Sequence, residues 1–243
     1  MKIIKLDATD STNSFLKNLS QGSTLENLTV VVTQDQTKGR GQQESTWTSE
    51  PYKNLTFSAL ISLNEVKITQ RRYLNFAISL ALYTVLFDKK TPKLSIKWPN
   101  DILSANKKIC GILIENSFFG DSIKNSIVGI GLNVNQEIFP NSLPNATSLK
   151  LETTKEFDLD VLLNEILIEL QKNIKVLESK DYHLLEKQYL DVLYKKNIPT
   201  MFKNSKDEIF MGMISGVSID GNLQIQLQDD SIAEFGIKEV SIL

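Results

Sequence analysis

The sequence predicts an α+β protein with a small all-β unit at its C-terminal end, and three observations carry that reading. Apolar, β-branched runs bounded by turn residues recur at 30–33, 55–63, 109–115 and 127–134, the pattern of buried strands. Residues 69–88 and 157–180 instead repeat their apolar positions at helical spacing. From residue 198 the chain turns to short strands at 199–203, 209–218, 223–227 and 232–235, with Asp220-Gly221-Asn222 as a hairpin turn. Short strands so closely spaced suggest a small β-barrel. The expected division is a larger domain, 1–195, and a barrel domain, 196–243, linked near Lys195-Lys196.

Composition narrows the function classes. At 243 residues, 41% hydrophobic and 23% charged, the chain is an ordinary globular protein able to bury a substantial core. A formal net charge of −2 lacks the basic footprint of a nucleic-acid binder, so no DNA partner is expected. One cysteine, Cys110, excludes an internal disulfide framework and suits a reducing compartment. No apolar run approaches membrane-spanning length and the N-terminus has no signal-peptide core. A cytoplasmic protein without a membrane partner is expected. The lone His183 sits in a charged helical stretch, which argues against a His metal cluster and a Ser-His-Asp triad; no protein metal ligands are assigned.

Taken in order, residues 2–6 form a short strand, followed by Asp10-Ser11-Thr12-Asn13, a set of helix-capping residues, with Phe15, Leu16 and Leu19 at helical spacing behind them. The free N–H groups and hydroxyls of such a cap can also serve a ligand. Between the strands at 30–33 and 55–63 lies a long polar loop centred on Gly39-Arg40-Gly41, and a loop of that length is either mobile or functional. Its glycines permit close backbone approach, Arg40 offers a fork of donors for carboxylate or phosphate, and Trp47 can close over something flat. Residues 69–88 are core helix. After the apolar residues 94–96, Pro99 stiffens a turn that projects Lys97, Asn100 and Asp101. Asn106-Lys107 reads as a hairpin turn. The strand 109–115 is entered by Lys108 and interrupted by Gly111, the mark of close approach by a ligand or another backbone. Cys110 beside it reads as a small buried hydrophobe. In 127–134, Gly129 and Gly131 alternate onto one face and bare it, with Asn133 on the same face. That predicts either a groove or close helix–sheet packing. Helices follow at 157–180 and 182–194.

The ordered motifs DSTN, QTKGRGQ…W, KWPND, KKICGILIE, GIGLNVN and ATSL resemble the biotin–protein ligases over roughly residues 1–150, and the tail resembles that family's small C-terminal β-barrel. The resemblance implies the class II aminoacyl-tRNA synthetase-like biotin/lipoate ligase fold, a mixed β-sheet covered by helices on one side. It implies an enzyme that joins biotin to ATP as biotinyl-5′-AMP, then passes biotin to a lysine of a carboxylase's biotin carrier domain, with Mg²⁺ accompanying the ATP. By resemblance, Ser11, Thr12, Asn13 and Gln36 bond the ureido ring, and Gly39, Gly41, Gly111, Gly129 and Gly131 leave room for biotin. Arg40 and Lys108 bridge its carboxyl and the phosphate, Lys97 grips the phosphates, and Asp101 either accepts the carrier lysine's proton or stabilises its ammonium. Gln42, Trp47, Asn100 and Asn133 meet the nucleotide, Trp47 by stacking on adenine and Asn133 at the phosphates or their Mg²⁺. The chemistry agrees, since two anions that must react need fixed cations. No helix-turn-helix segment precedes the core, so the enzyme-only form is expected; the resemblance also leaves a homodimer open. The loop departs from relatives that read GRGRRGR, since Gln42, Gln43 and Ser45 stand where those carry cations and Glu44 adds an anion. Two alternatives stay open: a lipoate or octanoate ligase of the same fold, and a biotin- or nucleotide-binding regulator without turnover.

Overall fold

The alternation in the apolar runs decides how the larger sheet is packed. The computed structural model describes residues 2–43 and 45–243. In chain order it contains β1 (Lys2–Thr9), α1 (Thr12–Gly22), β2 (Thr29–Gln36), β3 (Leu55–Ser62), α2 (Arg71–Asp88), β4 (Leu94–Lys97), β5 (Asp101–Ser104), β6 (Lys107–Phe119) and β7 (Ser122–Leu132). Then follow α3 (Leu149–Thr153), α4 (Leu159–Glu178), α5 (Tyr182–Asp191), β8 (Pro199–Asn204), β9 (Ile209–Val217), β10 (Leu223–Gln226), β11 (Ile232–Phe235) and β12 (Val240–Ile242). The larger sheet is ordered β1-β2-β3-β7-β6-β5-β4. Its β1–β2 pair is parallel and the rest antiparallel, so the sheet is mixed as expected.

One face of that sheet presents Phe57, Ala59 and Ile61 from β3, Cys110 and Ile112 from β6, and Val128, Ile130 and Leu132 from β7. These residues share a core with Leu74 and Phe76 of α2, Leu163 and Leu170 of α4 and Tyr189 of α5. Each fully buried Leu, Ile or Phe there contributes about 1.5–3 kcal/mol. The opposite face is covered differently: α1 packs Leu16 into a second cluster with Val31, Leu60 and Ile127. The helix reaches only part of that face. Its start is set by Ser11, whose hydroxyl accepts from Ser14 N.

The C-terminal strands form an open five-stranded antiparallel sheet, β11-β10-β9-β8-β12, and not the closed barrel expected. The last strand, β12, which the sequence reading missed, pairs with β8 and leaves β11 at the opposite edge. Closure is unnecessary because Phe202, Ile214, Val217, Leu223 and Ile225 join the same core as α2 and α5; the sheet buries its apolar face against the larger unit. Polar ties hold it there: Arg72 Nη1 donates to Val217 O (2.7 Å) and Trp98 Nε1 to Gly221 O (3.0 Å). Among the described residues no helix is long and apolar enough to cross a membrane.

Candidate active site

Strand register builds the floor of the site. Antiparallel pairing sets Gly111 opposite Gly131 and Leu113 opposite Gly129. On the other side of β7, Thr56 stands opposite Gly131 and Ser58 opposite Gly129. Asp101 pairs with Gly111, and Lys97 with Asp101. A row of Lys97, Asp101, Gly111, Gly131 and Thr56 therefore crosses five strands on one face, bare at its middle. A cavity of about 590 Å³ stands on it, within the range of small-molecule sites. The glycines are needed for space, since a Cβ on Gly131 would strike the Trp47 indole and one on Gly129 the Asn13 carboxamide.

At one end of the cavity the polar groups satisfy one another. Thr12 N donates to Gln36 Oε1 (2.9 Å). The Ser58 hydroxyl stands 2.7 Å from Thr12 Oγ1 and donates to Asn13 Oδ1 (2.5 Å). Asn13 Nδ2 donates to Glu115 Oε2 (2.7 Å). Ser11, Thr12, Asn13 and Ser58 are all buried. The sequence reading missed Ser58 and Glu115, although their parity on β3 and β6 matches that of Gly129 and Gly111.

The other end is charged. Lys108 Nζ lies 2.6 Å from an Asp101 oxygen. Strict alternation would place Lys108 on the core face with Cys110, but the β5–β6 register slips there: Ile102 pairs with Cys110 and Leu103 with Lys108. The extra residue, Ile109, turns into the core and Lys108 swings onto the groove face. The loop at 145–147 clamps this bulge, with Lys108 N donating to Asn145 O and Thr147 N to Lys108 O. Burial pushes the Cys110 thiol well above its ordinary value, against the pull of Lys108, so it is no nucleophile.

The polar loop lies over the groove. Trp47 N donates to Gly39 O (3.0 Å) and Gly41 N to Ser45 O (2.6 Å); side chains at Gly39 and Gly41 would strike the Trp47 carbonyl and the Ser45 hydroxyl. Arg40 Nη2 reaches Glu115 Oε2 (3.1 Å). The Trp47 indole rests over Gly131 and Gly111, with Lys108 Nζ 5.6 Å from its ring centroid and Nε1 buried without a partner. Glu44 lies outside the described residues.

Most of the residues singled out from sequence therefore meet in one cavity: Ser11, Thr12, Asn13, Gln36, Arg40, Gly41, Gln42, Trp47, Lys97, Asn100, Asp101, Lys108, Gly111, Gly129 and Gly131. Gly39 is buried under the loop and is absent from the lining. So is Asn133, whose Nδ2 donates to Thr147 O (2.9 Å). Asn100 lines the cavity, yet its Nδ2 donates to Ile112 O (2.6 Å). The C-terminal sheet adds a wall that the sequence did not announce, with Phe202, Lys203, Asn204, Lys238 and Ser241. Lys238 Nζ donates to Gln43 O (2.5 Å) and ties that wall to the loop. Among the described residues no group of three or more His, Cys, Asp or Glu could hold a metal.

A family model described as the biotin/lipoate A/B protein ligase family matches residues 6–133. That stretch holds the cap cluster, the loop, the glycine floor and Arg40, Lys97 and Lys108. The chain belongs to this family. Among its relatives, the bifunctional ligase/repressor BirA of Bacillus spizizenii is 28% identical over 98% of this chain and 71% of its own length. A biotin–[acetyl-CoA-carboxylase] ligase of Paracoccus denitrificans is 35% identical over 53% of each chain. Among solved structures, the biotin protein ligase of Aquifex aeolicus in complex with biotin and ATP superposes with a TM-score of 0.78 at 28% identity, over 100% of this chain and 98% of that one. The matched range spans most of the larger sheet that carries the site here.

Proposed function

We propose that this chain is an ATP-dependent biotin–protein ligase that forms biotinyl-5′-AMP and transfers biotin to a lysine of a carboxylase's biotin carrier domain. The observation that carries the reading is the two-ended cavity, with a buried hydrogen-bonding end suited to a ureido ring and a charged end suited to a carboxylate and phosphates, joined by a bare floor. The match to relatives named as biotin ligases supports it. A lipoyl chain offers nothing for Thr12, Asn13 and Gln36 to bond.

In the first step a biotin carboxylate oxygen attacks the α-phosphorus, and the bond from that phosphorus to the bridging oxygen breaks, releasing pyrophosphate. Arg40 and Lys108 hold the two reacting anions together and stabilise the charge that develops between them; Lys97 holds the phosphates. To do so, Arg40 leaves Glu115 and Lys108 shares its charge between Asp101 and the ligand. In the second step the carrier lysine's amine attacks the acyl carbon, AMP departs, and Asp101 receives the amine's proton. Magnesium bound with the nucleotide would offset phosphate charge, and Asp101, the carboxylate at that end, is engaged by Lys108. The Trp47 indole, now on the floor, moves aside for biotin and covers the nucleotide. Residues 196–243 act as a second domain that closes the cavity, and a single cysteine suits work in a reducing compartment such as the cytoplasm.

The test is to incubate the protein with biotin, Mg-ATP and a carrier domain. The expected result is pyrophosphate release and a mass increase of one biotinyl group on one lysine. Transfer of lipoate or octanoate in place of biotin overturns the reading.

A further inference from the structure

We infer that Glu115 is a positioning residue that fixes which end of the Asn13 carboxamide meets the ligand, and through it sets the preference for a ring bearing ureido N–H groups. The inference deepens the ligase reading and rests on it. A carboxylate only accepts hydrogen bonds, so the group 2.7 Å from Glu115 Oε2 must be the Asn13 NH₂. The carboxamide cannot turn over without setting its oxygen against the Glu115 charge. Its oxygen, Oδ1, is consequently held on the other side, beside the Ser58 hydroxyl and over the bare Cα of Gly129. That is an acceptor aimed into the floor of the cavity. An Asn without such a partner would present NH₂ or oxygen according to what it met.

Glu115 is itself well anchored. It stands on β6 opposite Ile127 of β7, its side chain is 27% exposed, and Arg40 Nη2 lies 3.3 and 3.1 Å from its two oxygens. When Arg40 turns to a ligand carboxylate, the shorter bond to Asn13 keeps the amide in place. A ligand whose ring carries N–H groups gains a hydrogen bond from that arrangement. A ring of the same shape without N–H forgoes that bond, because Oδ1 keeps only the Ser58 hydroxyl on one of its two lone pairs.

The experiment measures binding by titration calorimetry of biotin and of a biotin analogue whose ureido nitrogens are replaced by ring oxygens, a cyclic carbonate of the same shape. Wild-type protein is expected to prefer biotin. Glu115→Leu should weaken biotin about tenfold, the scale of one net hydrogen bond, and leave the carbonate within about twofold. The preference should shrink accordingly. Glu115→Gln, whose amide oxygen still accepts from Asn13, should keep the wild-type preference. Should Glu115→Leu fail to give a cooperative melt, Glu115→Ala is read by the same criteria. Equal weakening of both ligands in Glu115→Leu would show a packing role and overturn the inference, as would an unchanged preference. Loss of preference in Glu115→Gln would overturn it too, because charge and not orientation would then be at work. Wild-type protein that binds no biotin would overturn the ligase reading and this inference with it, an outcome distinct from the other three.

Discussion

At the ring end of the cavity, Thr12, Asn13, Gln36, Ser58 and Glu115 hold one another through hydrogen bonds of 2.5–2.9 Å, whereas at the charged end Arg40 is paired with Glu115 and Lys108 with Asp101. The ring end is largely buried and its side chains hold one another in a fixed geometry, so it is pre-organised and loses little freedom on binding. The charged end is half-open: the Arg40 side chain is 46% exposed, and an exposed pair of that kind is worth at most about 1 kcal/mol. Such partners are easily exchanged for a carboxylate or a phosphate. One sheet thus carries a rigid recognition end and an exchangeable chemical end, and the difference lies in burial and not in residue count.

The sharpest break between the two ends should come from Lys108→Ala. Removing a cation from the point where charge develops is expected to slow biotinyl-AMP formation by about 10²–10³-fold. Lys97→Ala should instead raise the KM for ATP and leave biotin affinity within about threefold, because the role proposed for Lys97 is to hold the phosphates and surface-accessible charges contribute little to a distant ligand. Pyrophosphate release and calorimetry measure both. Equal, large losses of biotin affinity in the two variants would merge the two ends into one.

Next in size is the floor. Gly129→Val places carbon where the Asn13 carboxamide now stands, and overpacking of about 1–3 kcal/mol should weaken biotin roughly 10- to 100-fold. Far-ultraviolet circular dichroism should stay unchanged, since the residue pairs through its backbone. Retained affinity would mean that the floor is not where the ring lies.

A smaller effect is expected at the loop. Gln42→Arg restores a cation that some relatives carry, and should slow escape of biotinyl-AMP into solution several-fold. A charge-assisted hydrogen bond of about 1.5–3 kcal/mol is discounted here for solvent screening. Rapid filtration after one turnover gives the rate, and an unchanged rate would show that the loop end does not govern retention.

The smallest effect is at Cys110, behind the floor. Because burial raises its folded value, the folded protein should resist thiol reagents at pH 8 and react fully once unfolded. The sign for stability follows. Below its ordinary value near 9 the thiol is neutral in both states and costs nothing. Above that value only the unfolded chain ionises, so stability falls by up to about 1.4 kcal/mol per pH unit until the folded thiol titrates as well. A Cys110→Ala variant that shows the same alkaline loss would assign it to other groups.

What the sequence by itself determined was local. The strand parities, the capping cluster at Ser11, the bare face of Gly129 and Gly131 and the β-character of the tail all follow from period, side-chain size and turn chemistry within a few neighbouring residues. The loop's two glycines could also be read as close-approach points, though not that the approaching groups are Ser45 and the Trp47 carbonyl. Tertiary structure alone decided which residues meet across strands. Glu115 looked like the polar end of a strand, and only pairing across β6, β7 and β3 brought it to Asn13 and Arg40. Lys108 reached the groove through a one-residue slip that no periodicity encodes, because a bulge is set by the partner strand and by the 145–147 loop that clamps it. Asn133 had the right parity and still went elsewhere, since its carboxamide found Thr147 O beyond the strand end. The tail's strands did not close, because a sheet's edges depend on what covers its apolar face, and here α5, just before it in the chain, and α2, more than a hundred residues earlier, share its core.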